Sequence, residues 1–264
     1  MCLILLAYRY HPQYPLIIAA NRDEFHNRPT AIANFWQECP AILAGRDLQS
    51  GGTWLGINRS SGRIAAVTNY RQWPMSSPPI PLSRGHLVSH FLQQNDSVEE
   101  YLQRCEQEAV AYPAFNLIVG SINQLYYYSN RHPEGIQKIT SGLHGLSNQL
   151  LDTPWPKVQK GVQGLRQLLT MTTFPSYQMF FELLYDTIQP PDEELPSTGV
   201  TLEQERLYSS LFIINREYGT RSSSLILVDQ TGHVDFLERS FTPTGGIIQT
   251  LQIEFQSSHF KLDA

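Results

Sequence analysis

The stretch MCLILLAYRYHPQYPLIIAANRDEF, residues 1–25, decides the fold. Two apolar runs, residues 3–8 and 16–20, flank the turn-like segment RYHPQYP at residues 9–15. Neither run alternates apolar with polar, so the pattern predicts a hairpin whose strands are buried on both faces. An antiparallel hairpin lays the end of its second strand beside the start of its first. That end reads Asn21, Arg22, Asp23, Glu24, and it falls next to Cys2. Cys2 has two readings. It is a small hydrophobe opening a buried strand, or, once Met1 is removed, a first residue that carries thiol and α-amine together, a nucleophile with its own base.

Outward from the hairpin, GGTWLGIN (51–58) and GRIAAVTNY (62–70) predict a second hairpin closed by RSSG, with Gly51 and Gly52 supplying positive φ. Helical spacing follows in 83–94 and 97–110, with Ser83 and Ser97 as N-caps. Strands return at 115–122 and 124–130. Residues 151–169 predict a helix capped by Asp152 or Thr153 with Pro154 in its first turn, and 175–187 a second one. The acidic, proline-containing segment 189–199 predicts an exposed loop. Strands at 211–219, 222–241 and 250–258 finish the chain, the middle pair turning through DQTGH (229–233). Hairpins dominate and helices come in blocks, which points to an α+β fold with largely antiparallel sheets in one domain spanning residues 1–264.

The totals fit that reading. Hydrophobic residues are 41% and charged residues 16% of 264, enough to build a packed core. A net charge of -5 offers no basic field for nucleic acid or an anionic membrane, and Tyr126, Tyr127 and Tyr128 read as core packing, not as a base-stacking platform. Cys2, Cys39 and Cys105 are too few and too scattered for a disulfide framework or a zinc site. Their odd number and the short apolar run after Cys2 lead us to expect a cytoplasmic protein with no membrane span.

The ordered motifs ANRDEF (20–25), FW (35–36), AGRD (44–47), GGTWLGI (51–57), TNYR (68–71), FNL (115–117), GLSNQLLDTPWPKV (145–158) and YGTRSSSLILVD (218–229) resemble the NRDE family, the transport-and-Golgi-organisation protein 2 homologues. The resemblance implies a four-layer αββα sandwich of the N-terminal-nucleophile hydrolase type. More distantly, the arrangement is similar to cysteine amidohydrolases acting on penicillin V and conjugated bile acids. By that resemblance Cys2 matches the nucleophile, Asp23 the aspartate ending the second strand, Asn69 a residue of the oxyanion region, and Asn148 the asparagine donating its side chain there. One position departs: their arginine lies three residues before the aspartate, where this chain has Ala20. Arg22 directly precedes Asp23, so on an ideal strand the two point to opposite faces. Arg22 and Arg221 are the candidate substrate-binding residues, with Arg221 the substitute if Arg22 does not reach the thiol.

Each reading has a plainer alternative. Arg22 and Asp23 are also an ordinary charged strand end, able to pair with Arg28 or Glu24. Asn69 and Asn148 are also turn residues. His86 and His90 share a helical face at i, i+4, but without a glutamate after His86 they are not a zinc-protease motif. The expected function is amide hydrolysis or acyl transfer on a small amide or acyl conjugate, without a cofactor. The alternative is a haem or acyl-lipid carrier on the same scaffold, with Cys2, His86 or His90 as axial ligand. No C-x-x-C-H motif is present.

Overall fold

A computed structural model describes residues 2–73, 78–260 and 262. Met1, whose removal the nucleophile reading of Cys2 requires, lies outside the described residues. The first hairpin is β1 (Cys2–Tyr8) and β2 (Leu16–Phe25), followed by β3 (Thr30–Phe35), β4 (Ile42–Asp47), β5 (Leu55–Asn58) and β6 (Arg63–Asn69). Two helices, α1 (Arg84–Gln93) and α2 (Val98–Gln107), precede β7 (Phe115–Gly120), β8 (Leu125–Ser129), the short β9 (Gln137–Lys138) and β10 (Gly142–Leu146). Then come α3 (Pro156–Leu169), α4 (Tyr177–Leu184) and α5 (Leu202–Leu207). The strands β11 (Tyr218–Val228), β12 (His233–Phe241) and β13 (Ile247–Gln256) close the fold.

Two antiparallel sheets result, ordered β10-β1-β2-β11-β12-β13 and β3-β4-β5-β6-β7-β8-β9. Alternation along β1 explains the stacking. Ile4 and Leu6 join Ile18, Ile57 and Ile118 between the sheets, whereas Leu3 and Leu5 join Val158, Phe180 and Leu184 beneath α3 and α4. A third cluster, including Phe91, Leu102 and Tyr126, packs α1 and α2 on the other sheet. Three apolar interfaces separating four layers make the αββα sandwich. Strands of the first hairpin are buried on both faces because each lies between a helix layer and the facing sheet. At about 1.5–3 kcal/mol for each fully buried large apolar side chain, these three interfaces hold the layers together.

Several local expectations are corrected. Strands β3, β4 and β10 fall where no strand is predicted, because short segments of mixed composition owe their pairing to neighbours in the sheet. Residues 211–214 form no strand: Phe212 N–H bonds Asp186 instead, and the paired strand starts at Tyr218. Helix α3 is capped at Trp155 with Pro156 at its first position, one turn signal later than the predicted Asp152, Thr153 and Pro154. Asp152 sits at φ 60 and is occupied with Gly145 N–H and His144. Helix α5 follows the acidic loop, and its start is marked by a capping box between Thr201 and Gln204. Ser97 also makes a capping box, whereas Ser83 makes no side-chain cap. Of the glycine pair, Gly51 has φ +76, but Gly52 serves close approach: a Cβ there would lie 2.5 Å from the Gly85 carbonyl carbon.

Candidate functional site

The period-2 alternation that places Ile4 and Leu6 between the sheets places Cys2 there too. Its register partner on β2 is Arg22, whose own partner on β11 is Ser222. Cys2, Arg22 and Ser222 therefore form one row across three strands, at the end of the sandwich. A bulge between Thr220 and Ser222 resets the alternation of β11 and leaves Arg221 as the extra residue. Its guanidinium donates to the carbonyls of Phe25 and Arg28, at 2.8 and 3.0 Å, and does not line the pocket at Cys2. Of the two candidate arginines, Arg22 shares the face of the thiol.

The row opens into a pocket of about 270 Å³, lined by Cys2, Arg22, Asp23 and Asn69 with residues of the α1 N-terminus and the loop before β5. Its floor is Glu238 of β12, which crosses to the other sheet and accepts from Ala33 N–H at 2.8 Å and from the Ser224 hydroxyl at 3.2 Å. Burial pushes the Glu238 carboxyl up, with the charge of Arg22 among the opposing effects. Burial also pushes the Cys2 thiol up, and the Asp23 carboxylate adds to that. Arg22 and the Asp23 backbone N–H act in the opposite sense. The wall opposite is clamped in place: Gly52 meets Gly85, Thr53 N–H bonds the Gly85 carbonyl at 3.3 Å, and His86 Nε2 lies 2.7 Å from the Ser50 carbonyl.

Asp23 belongs to the pocket lining but directs its carboxylate across the sheet. Thr220, its register partner, donates to Oδ1 at 2.7 Å, and the Tyr218 hydroxyl donates to the Asp23 carbonyl at 2.9 Å. Burial raises the Asp23 carboxyl, and Lys157 in the first turn of α3 is the largest opposing influence. Lys157 is itself 3% exposed. It donates to the Tyr208 carbonyl at 3.1 Å, and burial lowers its pKa against the pull of Asp23 and Cys2. Beside it, Arg71 pairs with Glu205 at 2.9 Å and packs over Trp155. A buried charge layer thus lies under the start of β1.

Asn69 and Asn148 come together, in two rows. Asn69 lines the pocket, whereas Asn148 is fully buried behind it, its Nδ2 donating to the Asn69 carbonyl at 2.9 Å. Ser147 donates to the Cys2 carbonyl at 3.0 Å, and Thr68 donates to the Ser147 carbonyl at 2.6 Å. Residues just after β10 therefore fasten the start of β1 to the end of β6 in the opposite sheet.

His86 and His90 stack 5.5 Å apart on α1 and are not among the pocket lining. A volume near 270 Å³ lies just below the ~300–1,000 Å³ usual for small-molecule pockets, which suits a compact ligand. Cys2, Cys39 and Cys105 are all free thiols. Sequence reasoning missed Lys157, Arg84 and Glu238. The signal for Lys157 was its place in the PWPKV motif, and that for Arg84 its position directly after the predicted cap Ser83. Nothing in LERSF marks Glu238 as a pocket floor. No helix among the described residues is long and apolar enough to cross a membrane.

Residues 1–243 match the family model described as Transport and Golgi organisation 2. The "Transport and Golgi organization 2 homolog" of Mus musculus is 36% identical over 260 residues, covering 91% of this chain and 93% of that protein. The "Transport and Golgi organization protein 2 homolog" of Homo sapiens is 36% identical over 259 residues, with the same coverage of 91% and 93%. The "Transport and Golgi organization protein 2" of Drosophila melanogaster is 29% identical over 265 residues, covering 92% and 93%.

Proposed function

Because this chain belongs to the Transport and Golgi organisation 2 family and places a thiol at the head of its first strand, we propose that it is a cysteine amidohydrolase or acyltransferase of the N-terminal-nucleophile type, acting on a small amide or acyl conjugate. One observation carries the reading: Cys2 and Arg22 are register partners inside a pocket of small-molecule size. A buried thiol with a raised pKa is protonated at rest and needs a base. Removal of Met1 supplies one, the Cys2 α-amine, on the same residue. The amine takes the thiol proton as the sulfur attacks the carbonyl carbon. Arg22 favours the thiolate. Asn69 donates to the developing oxyanion from a position held by Asn148. The protonated amine then returns its proton to the leaving nitrogen, and water or another acceptor releases the acyl-enzyme. Asp23, steadied by Thr220 and offset by Lys157, holds its negative charge beside that amine.

Peptide mass spectrometry after timed iodoacetamide exposure, on chain with and without Met1, tests the reading. Removal of Met1 should accelerate Cys2 alkylation at pH 6 while Cys39 and Cys105 stay slow, and an amide or thioester screen should then find turnover that Cys2→Ser abolishes. A Cys2 that stays inert after Met1 is removed sinks the proposal.

A further inference from the structure

The pocket at Cys2 is lined by four arginines and four carboxylates, and the way they pair is uneven. Arg28 is taken by Asp47, at 2.6 Å. Arg22 leans on Thr30 at 3.2 Å and Glu24 at 3.9 Å, and Arg46 is bound by Glu38 outside the pocket. Arg84 differs. Among the described residues its one side-chain hydrogen bond runs from Nη1 to the Ala114 carbonyl at 3.1 Å, and no carboxylate lies within ion-pairing distance of it. Burial lowers its pKa, and charge on Glu24 or Cys2 acts against that, so the guanidinium sits within electrostatic reach of the thiol. A desolvated guanidinium without a counter-charge is costly, and a planar fork with free N–H groups fits a carboxylate bidentately.

We infer that Arg84 is the specificity residue of this pocket and that the substrate is a monoanionic amide, carrying a carboxylate within reach of the carbonyl that Cys2 attacks. The inference rests on the amidohydrolase reading above. The pairing selects a monoanion: three of the four lining guanidiniums already have carboxylate partners, so the one left over neutralises one negative charge, not a polyphosphate. Two further observations agree. Ser83 leaves the N-terminus of α1 without a side-chain cap where Ser83, Arg84 and Gly85 face the lumen, adding the positive end of a helix dipole. Val67, Leu82 and Pro113 line the same pocket and offer apolar contact to the rest of an acyl group.

Paired alkylating reagents test this at the thiol itself. Iodoacetate is a monoanion and iodoacetamide its neutral counterpart. In each case sulfur forms a bond to carbon, iodide leaves with the bonding electrons, and the thiol proton goes to base. Any effect of Arg84 on thiol ionisation moves both rates together, so their ratio isolates recognition of the anion. Cys39 serves as internal reference. The expected result is an iodoacetate/iodoacetamide ratio higher at Cys2 than at Cys39, falling about tenfold in Arg84→Gln, equivalent to about 1.4 kcal/mol, and partly retained in Arg84→Lys. An equal ratio at the two cysteines, or one unmoved by Arg84→Gln, overturns the inference while leaving the amidohydrolase reading standing. If Cys2 reacts with neither reagent, that reading falls, and calorimetric titration with succinamate decides the inference alone. Binding that is lost in Arg84→Gln and absent for neutral butyramide upholds it, and no binding to the parent chain ends it.

Discussion

Cys2 and Arg22 face each other across the first hairpin, in direct register, and both open into the same pocket. The pairing gives Arg22 an electrostatic role that a charged strand end would not have. The thiol is pushed up by burial and held down by Arg22, so Arg22→Gln should raise its pKa further. A thiol with a higher pKa carries less thiolate at neutral pH. Iodoacetamide labelling of Cys2 should therefore slow at pH 7, and the whole rate–pH curve should move to higher pH. An unmoved curve would mean that Arg22 is spent entirely on Thr30 and Glu24.

Glu238 gives a prediction with a definite sign. Its folded pKa is raised, so the neutral carboxyl suits the fold, and the associated stability is present below the unfolded value near 4.5 and lost as pH rises through the folded value. Glu238→Gln mimics the neutral form and keeps an acceptor for Ala33. The variant should match the parent near pH 4 and become the more stable of the two as pH rises toward 8. Denaturant midpoints across that range measure it.

Lys157 and Asp23 should be coupled. Both are buried, and each opposes the desolvation of the other. Removing one of two opposite buried charges leaves the other less compensated and destabilises the fold. Lys157→Met should be strongly destabilising at pH 7. Adding Asp23→Asn should recover much of the loss, where independent sites would only add to it. Strict additivity in the double-mutant cycle would disprove the coupling.

Gly52→Ala tests the wall of the pocket. A methyl group at this position meets the backbone of Gly85 at 2.5 Å, and no side-chain rotation relieves it. Overpacking of this kind costs about 1–3 kcal/mol, read as a lower thermal midpoint. Because the displaced segment is the α1 N-terminus, Cys2 labelling should change along with stability. Gly51→Ala should differ in kind: its methyl group meets nothing within 4 Å, and only the φ of +76 is strained.

Much of this architecture is legible in the residues. The uninterrupted apolar runs of β1 and β2 are possible only for strands covered on both sides, and the hairpin then brings Arg22 to Cys2 without further information. Parity alone does less well further along. The two-stage placement of Asn69 and Asn148 depends on β10, which no periodicity announces, and the position of Arg221 depends on a bulge that shifts β11 by one residue. The third group, Lys157, Arg84 and Glu238, looks like solvated charge in sequence. What makes each a site residue is a neighbour more than sixty positions away: Asp23 beneath the strand, Cys2 across the pocket, Ala33 in the facing sheet.

Strand β1 lies between β2, which follows it at once, and β10, which begins at Gly142. Ser147, which ties down the Cys2 carbonyl, is made 145 residues after it. At a synthesis rate of about 5–20 residues per second, the cysteine waits roughly 7–30 s for that side of its enclosure. During this interval the thiol belongs to an unfinished sheet open to water and oxidant. Its chemical vulnerability is set by a moment in the life of the chain, not by a location in the finished molecule.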